Sequence, residues 1–133
     1  MPTLTHSEAN SLTFDDSTPA KTVTGWAAGA NAIDAGANAF YLYINLQVSV
    51  AFGGSADGDA IIKLRTSSDS STTDDTLNLD FITVPVNAGS TDIISFKVEH
   101  FNFLELGVYN GNSAVEDITI SAKWEGCKVT DDT

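Results

Sequence analysis

Residues 40–52 read Phe-Tyr-Leu-Tyr-Ile-Asn-Leu-Gln-Val-Ser-Val-Ala-Phe. Phe40, Leu42, Ile44, Leu46, Val48, Val50 and Phe52 fall on one parity, and Tyr41, Tyr43, Asn45, Gln47, Ser49 and Ala51 on the other. Successive side chains of a strand point to opposite faces, so this alternation predicts a strand with one face buried. It places Leu42, Ile44, Leu46 and Val48 in a core and Asn45, Gln47 and Ser49 outside it. At about 3.3 Å per residue such a strand runs roughly 40 Å, so it is expected to bend or to overhang the main body.

On the C-terminal side the same signal recurs between turns. Gly53-Gly54-Ser55-Ala56-Asp57-Gly58 is turn chemistry, and Ala60–Thr66 follows as a strand. Residues 67–75 (SSDSSTTDD) read as a polar loop, and Leu77, Leu79 and Phe81 resume alternation up to Pro85. Ile94, Phe96 and Val98, then Leu104, Leu106 and Val108, then Ile118, Ile120, Ala122 and Trp124 give three more strands. Asn110-Gly111 carries a hairpin signal, and CKVTDDT reads as a short acidic tail. On the N-terminal side, Thr22–Trp26 and the region Ser11–Asp15 read as short strands. AAGANAIDAGANA at 27–39 is too interrupted by glycine for a helix and reads as a compact loop. The expected fold is all-β: an antiparallel β-sandwich, jelly-roll-like, of about eight strands. Residues 1–10 are expected to form an extended N-terminal arm and residues 11–133 a single domain.

Composition limits the chemistry. The 133 residues hold six Lys and Arg against eighteen Asp and Glu, a net charge of −12. Such a charge opposes nucleic-acid phosphate and anionic lipid as partners. No apolar run approaches the ~18 residues of a spanning helix. The opening MPTLTHSEAN has neither the basic region nor the apolar run of a secretory signal, so synthesis in a cytoplasm is expected. Cys127 is the single cysteine, so a link between chains is the one disulfide open to it, and a partly buried small side chain is the expected state.

Candidate sites are few. His100 follows Glu99, but no serine or cysteine has the setting of a nucleophile, so His100 is expected at the surface at a strand end, and His6 lies in the arm. Asp57 and Asp59, and Asp69, Asp74 and Asp75, sit in loops that could offer oxygens to calcium. SADGDA lacks the closing acidic residue of a calcium loop, so solvated turns are expected, with no metal and no cofactor. Tyr41 and Tyr43, two apart on the face opposite the apolar stripe, read as a protein interface or a sugar-stacking platform, with a second core face as the structural alternative. Phe101 and Phe103 pose the same choice.

A small chain rich in Ser, Thr, Asp and Ala, with a strand leading into a Ser/Asp loop (AIIKLRTSSDSSTTDD) and a closing FLELGVYNGNSAVEDITISAKWEG, resembles the small jelly-roll or β-sandwich virion proteins of tailed phages that decorate or cement capsids. The resemblance covers about residues 40–126 and brings no catalytic residue. It implies a non-enzymatic structural protein located on the virion, bound to the major capsid protein or another virion protein, and self-associated as a homotrimer. A tail or fibre component, or a carbohydrate-binding β-sandwich module, are the other readings. Partner contacts are expected from the arm, through Leu4, Leu12 and Phe14, and from an aromatic rim at Tyr41, Tyr43 and Phe101.

Overall fold

A computed structural model describes residues 2–67, 79–113 and 118–131. Among these residues nine strands account for almost all regular structure: β1 (Pro2–Leu12), β2 (Thr24–Ala27), β3 (Ile33–Asp34), β4 (Ala39–Phe52), β5 (Ala60–Ser67), β6 (Leu79–Val84), β7 (Thr91–Phe101), β8 (Phe103–Asn110) and β9 (Ile118–Asp131). One 3-10 turn, Gly29–Asn31, lies between β2 and β3. β2 and β3 pair end to end along the same edge of β8, so they act as one interrupted strand. The Ala/Gly-rich segment is therefore the compact loop its composition predicts, with a 3-10 turn and a two-residue strand within it.

The strands form two antiparallel sheets, ordered β1-β9-β4-β7 and β2-β8-β5-β6. The pairings nest: β1 with β9, β2 and β3 with β8, β4 with β7, and β5 with β6. A long antiparallel ribbon wrapped around a core gives this order, and it is that of a jelly roll. The expected all-β sandwich is the observed fold. β8 and β9 lie in different sheets, so Asn110-Gly111 closes no hairpin between them. Asn110 is instead fully buried, and its amide donates to the Pro19 carbonyl at 2.9 Å.

The core fills the space between the sheets. Ile44, Leu46, Val48, Val50 and Phe52 of β4 and Ile118 and Ile120 of β9 face Ile62 and Leu64 of β5 and Leu104, Leu106 and Val108 of β8. Each set follows the period-two alternation of its strand.

At its N-terminal end β4 departs from that alternation. Tyr41 pairs with Lys128 and Tyr43 with Cys127, so Leu42 is an extra residue with no place in the ladder. This β-bulge reverses the faces: Tyr41 turns inward at 5% exposure and Leu42 outward at 40%. The expected core position of Leu42 is corrected accordingly. Fourteen residues reach roughly 46 Å, and a bulge bends so long a strand around the body. Beside the bulge, β9 comes close to β4 at Gly126, where a Cβ would lie 2.5 Å from the Tyr43 carbonyl oxygen and 2.6 Å from Ile44 Cγ2.

Both ends of the chain also differ from expectation. Residues 2–12 are extended but not free, because β1 is an edge strand laddered to β9. The CKVT stretch of the expected tail is the second half of β9, held between β1 and β4. Backbone pairing with two neighbours holds this half in place without the apolar alternation that marks the first half.

Candidate functional site

The sheet β1-β9-β4-β7 is long, and among the described residues β1 and β7 are its edge strands. On β1 the side chains of Pro2, Thr3, Leu4, Thr5 and His6 are all exposed, Leu4 at 68%. Their backbone is in register with Cys127–Asp131 of β9. Further along, Leu12 anchors the strand in the core, and Phe14 follows it there. The first half of β1 is thus attached by main-chain pairing without burying any apolar side chain of residues 2–6. A bulge between Ser7 and Asn10 separates the two halves.

At the opposite edge, Ile94, Phe96 and Val98 of β7 point toward the core but are only half-buried. Phe96 meets Phe81 of the other sheet at 5.0 Å between ring centroids, and Phe81 stays largely exposed. Ile93 on the outer face is the most exposed of the large apolar residues there. Lys97 and Glu99 place charges beside this edge, a common guard against indiscriminate strand pairing.

The centre of the outer face of the same sheet is polar, with exposed Ile93 and Leu42 beyond it. Register brings Asn45 between Lys97 and Glu125, and Gln47 between Ser95 and Lys123. These residues line a groove of about 510 Å³. One row further on, Tyr43 lies between Glu99 and Cys127, with the Lys97 ammonium 5.3 Å from its ring centroid.

Of the expected contact residues, Leu4 and Tyr43 reach the surface. Leu12, Phe14, Tyr41 and Phe101 are core residues, and a side chain enclosed within its own subunit presents no rim to a partner. Tyr41 stacks on Phe101 at 5.3 Å and meets Trp124 edge-on at 5.5 Å. Burial first, and the Asp34 carboxylate second, raise the Tyr41 phenol above its ordinary pKa. With Tyr41 turned inward, the two tyrosines share no platform, and for Tyr41 the core alternative is the one observed.

No protein-family model matches the sequence, and no curated protein matches it. Among solved structures the chain is similar to one described by the words "Bacillus endospore appendages form a novel family of disulfide-linked pili". Identity is 13%, the match covers 98% of this chain and 90% of that one, and the TM-score is 0.42. A likeness of that degree assigns neither family nor function.

The acidic loop at 57–59 serves the fold. Asp57 accepts from the Ser113 amide at 3.0 Å and from the Ser113 hydroxyl at 2.5 Å, while Asp59 accepts from the Val86 amide at 2.9 Å. Buried Asn112 completes the clasp, taking the amides of Asp57 and Gly58 at 2.7 and 3.0 Å. Asp69, Asp74 and Asp75 lie outside the described residues. Among the described residues no group of three or more His, Cys, Asp or Glu side chains could hold a metal ion. His100 is exposed and stacks on Phe40 at 4.9 Å.

Sequence reasoning missed the cluster on the outer face of the second sheet. There the Trp26 indole lies across Gly107, where a Cβ would meet ring carbons at 2.6 Å. Glu105, on an outward-facing parity, is nevertheless buried. It bonds Arg65 at 3.3 Å and accepts the Gly29 amide at 3.1 Å. The sequence signal was available in Gly107, a glycine inside an alternating strand, which marks a close approach.

Proposed function

We propose that this chain is a non-enzymatic structural subunit of a protein shell, of the capsid-decoration type that its sequence resembles, attached through the first half of β1. The observation that carries this reading is the state of Pro2–His6: paired along its backbone, with every side chain exposed. Such a segment can exchange its ladder with β9 for an equivalent ladder on a neighbouring protein. Backbone pairing then supplies the affinity and the outward side chains, Leu4 foremost, the selectivity. The core anchors at Leu12 and Phe14 stay in place during the exchange. The rigid jelly roll holds the arm at a fixed origin, and the −12 charge keeps the outer surface soluble. In this reading the partner is the major capsid protein or another virion protein, and the subunit works as a homotrimer on the virion.

Co-sedimentation tests it. Full-length protein is expected to pellet with empty shells of the virion that carries it, and a variant lacking residues 2–6 to remain in the supernatant. The melting temperature should fall by only a few degrees, because no buried side chain is removed. Equal pelleting of both forms would overturn the role of β1. Pelleting with purified tails but not with shells would place the subunit in the tail.

A further inference from the structure

The outer face of the sheet β1-β9-β4-β7 has the makings of a ligand site independent of the assembly reading. Its centre is β4, where Asn45 and Gln47 stand two apart with their carboxamides facing out. Each carboxamide offers donors and an acceptor. Lys97 and Ser95 flank them on one side, and Glu125 and Lys123 on the other. Together with Leu46, Phe96 and Trp124, which alternate with them along the three strands, these six residues line the groove of about 510 Å³. Among the described residues, the side chains of Asn45, Gln47, Lys123 and Glu125 make no hydrogen bond or ion pair within the chain. The groove therefore presents uncommitted donors and acceptors in alternation, with no apolar side chain on this parity between Tyr43 and Ser49.

The charges narrow the ligand. Lys97 and Lys123 balance Glu125 and Glu99 on this face, in a chain whose net charge is −12. The face is thus complementary to an uncharged partner, while a polyanion meets the repulsion of the whole molecule. A dry apolar partner would strip water from six polar groups without replacing their hydrogen bonds. A polyhydroxylated, uncharged chain would replace them. Tyr43 at the end of the row adds an aromatic surface on which a sugar ring can stack. From Tyr43 to Gln47 the distance along the strand is about 13 Å, room for a short stretch of glycan.

We infer that the face formed by Tyr43, Asn45 and Gln47 with Lys97, Lys123 and Glu125 binds a neutral polysaccharide. The ligand runs along β4 between β7 and β9, held by carboxamide, ammonium and carboxylate hydrogen bonds to its hydroxyls and stacked on Tyr43 at one end.

Affinity electrophoresis of the full-length protein through gels containing dextran, mannan, hydroxyethyl-cellulose or mixed-linkage β-glucan, with polygalacturonate as the charged comparison, tests this. Retardation is expected in at least one neutral gel and not in polygalacturonate. The Asn45→Ala/Gln47→Ala double variant should lose at least tenfold in affinity, Tyr43→Ala should weaken it several-fold, and Lys63→Ala on the other sheet should leave it unchanged. All are surface changes, and circular dichroism melts should coincide with that of the parent. Free migration in every neutral gel would overturn the proposal, as would retardation that survives the double variant. Stronger retardation by polygalacturonate would overturn the uncharged class. Light scattering showing a dimer that the double variant abolishes would reassign the face to contact between two copies.

Discussion

The Arg65 guanidinium carbon lies 3.7 Å from the centroid of the Trp26 ring. The same guanidinium reaches Glu105, whose second oxygen holds the Gly29 amide. One stack thus joins β2, β5, β8 and the 3-10 turn, and it depends on the indole lying flat over Gly107.

Gly107→Ala is accordingly expected to destabilise the protein by about 1–3 kcal/mol, since a methyl would push the indole off the sheet and away from Arg65. Urea denaturation followed by tryptophan fluorescence measures this. Trp26→Ala should make the added methyl harmless, so that the double variant is no less stable than Trp26→Ala alone.

The bulge in β4 separates two neighbouring apolar residues. Ile44→Asp places an unpaired charge in the core and is expected to abolish folding, because a buried unpaired charge costs several kcal/mol. Leu42→Asp places the same charge at an exposed position and should leave a soluble, cooperatively melting protein. An unfolded Leu42→Asp variant would return Leu42 to the core and remove the bulge.

Tyr41 sets an alkaline limit. Its phenol is raised in the folded state, so the folded protein keeps the proton at pH values where the unfolded chain releases it. The stabilisation is complete below the ordinary tyrosine value of about 10 and is lost as pH rises through the raised native one. Denaturation curves between pH 8 and pH 12, values chosen to bracket roughly that ordinary constant, should fall more steeply for the parent than for Tyr41→Phe.

The clasp at Asn112 predicts a structural and not an ionic role for the acidic loop. Asn112→Ala removes the side-chain acceptor of the Asp57 and Gly58 amides and one of the two Asn112 donors to the Asn110 side-chain oxygen, at a cost of about 1–3 kcal/mol. Thermal melts should be unchanged by chelator or by millimolar calcium. A calcium-dependent rise in the melting temperature would reopen the loop as a metal site.

Much of the architecture could be read from alternation alone. Ile44–Phe52, Leu104–Val108 and Ile118–Ala122 bury the faces their parity predicts, because one side of each strand is apolar and the other polar. The bulge was not legible, since in Phe-Tyr-Leu-Tyr both parities are apolar and either can face a core. Most of the contact surface was misplaced for the same reason: Tyr41 and Phe101 carry no mark that tells an interface from an interior. The pairing of Pro2–His6 left no trace either, because a ladder made by the main chain places no demand on side-chain type. Asn45 and Gln47 were correctly placed outside, but only the register of β7 and β9 surrounds them with Lys97, Glu125 and Lys123.

The nesting of the strands also sets an order in time. β5 and β6 are near neighbours in sequence, whereas β1 pairs with β9, the most distant of the described strands. Contacts between such distant segments come at the greatest loop-closure cost. During synthesis β1 therefore leaves the ribosome long before β9 exists to receive it. The central strand β4 waits for β9 as well. Until then β1 is an extended strand with both edges open, and whatever it meets in that interval competes with its own chain.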